Sequence, residues 1–106
     1  MRVLRLQLLV LAAGLALSGP ATAEEDGSEL LAFMRNKDSR DVAMMYIDAV
    51  RSEWDRRLFC IEGGDPQGRA FDSVRQYLES HPDELFRPRR YLIIQALRAG
   101  HPCPRS

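Results

Sequence analysis

The chain has 106 residues, the length of one domain, and its fifteen acidic residues balance its fifteen basic ones. A nucleic-acid partner demands a strong positive field, which a chain of zero formal charge does not supply. Hydrophobic residues make up 45% of the sequence, and the densest apolar run comes at the very start.

Arg2 and Arg5 give a positive beginning, Leu6 to Leu17 is apolar apart from Gln7 and Gly14, and Ser18-Gly19-Pro20 breaks the run before Ala21-Thr22-Ala23. That is the pattern of a secretory signal with a small-residue cleavage site. The run falls well short of the ~20 residues that span a bilayer. Cleavage after Ala23 is therefore expected, with residues 1–23 as the leader and residues 24–106 as one periplasmic domain that keeps no membrane span. Glu24, not a cysteine, becomes the new N-terminus, which argues against a lipid anchor.

In chain order, a polar lead-in over 24–27 precedes a short helix over 28–35, with Leu30, Leu31, Phe33 and Met34 apolar and Ser28 as its cap. Asn36-Lys37 breaks the pattern, and Asp38 or Ser39 caps a second helix over 40–58. Val42, Met45, Tyr46, Ala49, Val50, Trp54 and Leu58 recur there at three- and four-residue steps and predict one core-facing stripe. Ile61-Glu62-Gly63-Gly64 cannot sustain a helix. Asp65-Pro66 restarts one, with Asp as cap and Pro at the first helical position. Phe71, Val74, Tyr77 and Leu78 form the apolar side of this third helix, which must end near Ser80 or His81 because Pro82 disfavours helical geometry before it. A fourth helix reads from Pro82 to Ala99 through Leu85, Phe86, Leu92, Ile93, Ala96 and Leu97. Pro88 is placed to bend it or divide it, and Gly100 to cap it. No segment alternates as a strand does, so the expected fold is all-α, a small bundle of four to five helices.

Cys60 and Cys103 survive processing and reach an oxidising compartment, where thiols pair. A bridge closing a loop of this length removes roughly 4 kcal/mol of unfolded-state freedom in the chain-entropy model. That matters to a domain near the size at which one apolar core barely suffices. Two other fates stand beside it: a zinc site with His81 and His101, whose spacing fits no usual pattern, and free or intermolecular thiols.

Groups suited to catalysis are few. His81 and His101 each precede a proline at a helix boundary, as turn residues do. Glu24-Glu25 and Asp83-Glu84 are sequence neighbours and diverge in space, and Gly63-Gly64 is too little for a phosphate-cradling loop. The reading is a non-enzyme without cofactor or metal that acts on a protein partner. Arg87, Arg89 and Arg90, opposed by nearby acids, read first as a solvated surface. Glu62, Gly63, Gly64 and Asp65 form an acidic loop beside Cys60, and loops held on a rigid scaffold commonly carry binding. This loop is the first candidate to enter a partner's cleft.

Leu58-Phe59-Cys60, the proline-started helix ending in Tyr77-Leu78-Glu79-Ser80-His81-Pro82, and the close from Ala96-Leu97 to Pro102-Cys103 resemble the Rap/Tai family of immunity proteins. The resemblance covers nearly all of residues 24–106, most closely 46–103. It implies an exported helical domain with Cys60 and Cys103 bridged, guarding against type VI secretion amidases that cut peptidoglycan peptides. It implies further that a loop blocks the toxin's active site, often from a homodimer. Where that family often has glycines around a tyrosine-isoleucine pair in the second helix, Met45 and Ala49 stand around Tyr46-Ile47. A periplasmic acid-stress chaperone and an accessory subunit of an envelope complex share the leader, the few helices and the cysteine pair, and are the alternative readings.

Overall fold

The computed structural model describes residues 25–105; the expected leader over 1–23 lies outside them. The elements are α1 (Gly27–Arg35), α2 (Arg40–Trp54), α3 (Pro66–Ser80), a single 3₁₀ turn (Pro82–Glu84) and α4 (Arg89–Gly100). No strand occurs among the described residues. Cys60 and Cys103 form a disulfide, with their Cα atoms 4.8 Å apart, which takes both sulfurs out of reach of a metal. The bundle expected from periodicity is the fold observed.

The caps differ in detail from their sequence reading. Asp26, not Ser28, caps α1, its side chain accepting a hydrogen bond from the Glu29 N–H. Ser39 precedes α2 but does not cap it; its hydroxyl donates to the Phe33 carbonyl and so closes the end of α1. Asn36 organises the short link by accepting from the Asp38 N–H at 2.8 Å. Asp65 caps α3 as expected, through the Gly68 N–H.

Two boundaries move. The second helix stops at Trp54, four residues before the expected end. Arg56 takes a left-handed φ of 71° and its N–H donates to the Phe59 carbonyl at 2.7 Å. This tight turn swings Phe59 into the core, where it is fully buried, and leaves Leu58 exposed. The fourth helix is divided, the alternative that Pro88 offered: residues before it form the 3₁₀ turn, and Pro88 itself is extended at ψ 140° ahead of Arg89. Gly100 closes α4 as its last residue, and the cap is His101.

The core is one cluster in which α3 touches each of the other three helices. From α3 come Ala70, Phe71, Val74 and Leu78, from α4 Leu92, Ile93, Ala96 and Leu97, and from α1 Leu30, Leu31 and Met34. The contribution of α2 corrects the predicted stripe. Its buried residues are Ala43, Ile47 and Val50, with Tyr46 and Trp54 half-buried against the cluster. Val42 is 56% exposed and Met45 70%, and Ala49 is also exposed. Both arcs of this helix are apolar, and the arc stepping 43, 47, 50, 54 wins because it is the one α1, α3 and α4 cover. Phe86, predicted on the inner face of the fourth helix, likewise lies outside, 71% exposed, because the chain leaves helical geometry around it.

Candidate protein-binding site

The loop singled out in the sequence, Glu62, Gly63, Gly64 and Asp65, runs from the disulfide to the cap of α3. Each of its anchors is a specific contact. The disulfide at Cys60 joins it to the C-terminal segment, and the Cys60 N–H donates to the His101 carbonyl at 2.7 Å. The Asp55 carboxylate accepts from the Ile61 N–H at 3.3 Å while also meeting Arg51, whose guanidinium reaches back to Asp48 at 2.7 Å. Ile61 is buried and fixes the start of the loop in the core. At the far side, Arg69 Nε donates to the Gly64 carbonyl at 2.8 Å.

The two acidic side chains are occupied in different ways. Asp65 holds the Gly68 N–H and sits at a φ of 54°, a left-handed geometry that Asp tolerates better than most residues. Glu62 pairs with Arg56 at 2.9 Å. That hydrogen bond and the carboxylate charge hold the Arg56 proton more tightly than in a free guanidinium. Both partners remain more than half exposed, so the pair shapes the loop more than it stabilises the fold. Gly63 needs its lack of a side chain, with a φ of 85°. Gly64 does not: a Cβ there would meet open space. The result is a loop tip with free room around it on a tightly braced base, a geometry suited to entering a concave surface.

The other candidates resolve into structural roles. His81 stacks on Tyr77 with ring centroids 4.0 Å apart and bonds the Tyr77 carbonyl through Nδ1. His101 Nε2 lies 2.7 Å from the Ser73 hydroxyl. That contact has the reach of a nucleophile and its base, but among the described residues no carboxylate is hydrogen-bonded to His101 to orient it, and the contact ties α3 to the C-terminal segment. Ser73 also borders a shallow groove of about 230 Å³ between α3 and α4, lined by Gln76, Tyr77, Ser80, Ala96, Ala99 and Gly100. The groove offers hydroxyls and one amide and no carboxylate or imidazole. Among the described residues no cluster of three or more His, Cys, Asp or Glu is placed to hold a metal.

The three arginines around Pro88 divide their work. Arg89 pairs with Glu25 and lies 3.8 Å above the Tyr46 ring. Arg90 reaches Glu53 at 2.6 Å. Arg87 stands 3.6 Å from Glu84 with its guanidinium 5.3 Å from the rings of both Phe86 and Tyr91. Pattern reading grouped them as one surface because the segment's division at Pro88, which sends them in three directions, is a tertiary outcome. Met45 and Ala49, the positions where the resembled family tends to glycine, lie on the outer side of α2 and not in the core of this chain.

The family model of Rap1a immunity proteins matches residues 26–103, from the α1 cap to the second cysteine of the bridge. Neither a curated protein nor a solved structure matches the chain.

Proposed function

Since the chain belongs to the Rap1a immunity protein family, we propose that it protects its cell by binding a peptidoglycan amidase delivered by type VI secretion and blocking that enzyme's active site with the loop at 62–65. The observation that carries the loop's role is its construction: an open tip at Gly64 on a base held by a disulfide, by Asp55 and by Arg69. A loop already fixed before contact loses little conformational freedom on entering a cleft. Glu62 is the charged group it would present to the enzyme.

The same reading places the protein in the periplasm, where the peptidoglycan is, after removal of residues 1–23. Among the described residues no helix is long and apolar enough to cross a membrane. It also accommodates a homodimer, for which the exposed apolar strip of Val42, Met45 and Ala49 along α2 is the available surface. Mass spectrometry of the protein released by osmotic shock should find Glu24 as the first residue.

The decisive test uses a type VI peptidoglycan amidase, taken first from any cell-wall hydrolase found encoded beside this gene. Purified mature protein should form a complex with it and suppress its cleavage of peptidoglycan sacculi. Gly64→Tyr, at an exposed position whose Cβ would meet open space in the free protein, should leave folding intact and weaken inhibition at least about tenfold by filling the space the enzyme needs. Full inhibition by Gly64→Tyr would remove the loop from the mechanism; absence of any complex with the wild-type protein would remove the immunity reading itself.

A further inference from the structure

The connection between α3 and α4 carries a second surface built for contact. Phe86 is 71% exposed and Tyr91 41%, and the Arg87 guanidinium lies 5.3 Å from the centre of each ring. A single exposed aromatic ring is unremarkable. Two rings around one arginine form the combination enriched at the centres of protein interfaces and depleted elsewhere on surfaces.

The backbone beneath them is braced. Pro82 and Pro88 restrict φ at either end of the connection. The Leu85 and Arg87 carbonyls accept from the Ser28 and Gly27 N–H groups, both at 3.1 Å, and the Arg89 N–H donates to the Glu25 carbonyl. Beneath Arg87, Glu84 interacts with both the arginine and the half-buried Tyr77. Phe86 is thus presented from a fixed segment, and little order has to be gained when a partner covers it.

We propose that this corner is the affinity anchor for the amidase effector, with Phe86 seated in an apolar recess of that enzyme and a carboxylate at the recess's edge receiving Arg87. The proposal rests on the immunity reading and adds a contact apart from the 62–65 loop. The fifteen residues of α3 lie between the two, about 22 Å at 1.5 Å per residue. Charge gives the chemistry of the partner. Glu84 stands 3.6 Å from Arg87, beyond a direct hydrogen bond, so the guanidinium has donors to offer a second carboxylate.

Calorimetric titration of the mature protein with the amidase that it inhibits tests this. Phe86→Ala should weaken binding about 30-fold or more, as loss of an interface anchor does. Arg87→Glu should also weaken it strongly while Arg87→Lys retains part of the affinity; circular dichroism should be unchanged in all three variants, with a small drop in thermal midpoint only for Arg87→Glu, which sets a second carboxylate against Glu84. Wild-type binding with both Phe86→Ala and Arg87→Glu within about threefold of it overturns the corner and leaves the immunity reading standing. A change in sedimentation from dimer to monomer at undiminished effector affinity also overturns it and assigns the corner to contact between copies. No binding by the wild-type protein defeats both readings together.

Discussion

Asp65 combines an uncommon backbone geometry with a capping bond, so replacing it separates two effects. Asp65→Asn keeps an acceptor and tolerates left-handed φ, and its chemical-denaturation midpoint should match the wild type. Asp65→Ala loses the bond to the Gly68 N–H and places a Cβ-bearing residue without local hydrogen bonding at a φ of 54°, and should cost about 1–2 kcal/mol. Tyr77 supplies a pH signature. Burial first, and then the Glu84 charge, push its phenol above the ordinary value of 10.0. The folded state thus holds the proton more tightly than the unfolded chain, so this contribution is fully present below pH 10 and fades as the pH rises through the folded value. Unfolding at pH 8 and again above pH 10 should show the wild type losing stability relative to Tyr77→Phe only in the alkaline series. At this scale the Asp-Pro start was readable because both residues act within their own turn. Arg56 was not, because nothing about an arginine announces a left-handed φ, and the helix boundary it moves was misplaced with it.

Helix types and most ends were legible from periodicity and proline placement, whereas the inner face of α2 was not. Its sequence carries two apolar arcs, and the choice between them is made by α1, α3 and α4, which a local pattern does not contain. The acidic loop was visible from its paired glycines and the neighbouring cysteine, but the Asp55 and Arg69 contacts that brace it were not, because they depend on the left-handed turns at Arg56 and Gly63, and nothing about Arg56 announces its turn. The exposed corner at Phe86 was hidden for a related reason: in an unbroken helix that ring would have faced inward. The seam between α1 and the 85–89 segment makes an element-level prediction. Gly27 is buried, and a Cβ there would come within 2.4 Å of Leu92 and 3.1 Å of the Leu85 carbonyl. Gly27→Ala should therefore destabilise the protein by about 1–3 kcal/mol despite alanine's better helix propensity. A lowered urea midpoint at unchanged slope is the expected result.

For the molecule as a whole the bridge is the largest single lever. It spans 43 positions, and replacing both cysteines by alanine should cost about 2–4 kcal/mol. In a domain of this size that lowers the thermal midpoint by roughly 10–25 °C. Because Cys60 begins the loop, the same variant should also loosen residues 61–65, seen as faster amide exchange there than in α3. Gly64→Tyr, Phe86→Ala and the cysteine variant together separate the proposed occlusion, the proposed anchoring and the rigidity of the loop. The seam at Glu25–Arg89 bears on the order in which the molecule is built. These partners stand 64 residues apart, so the strap from Glu25 to Arg89 closes only when nearly the whole chain is present, although α1 can already dock on α2 and α3. Contacts of such high sequence separation slow folding. A newly made copy would pass through an interval in which the core is packed but the Glu25–Arg89 strap is open, leaving the 85–89 segment unbraced until this last closure.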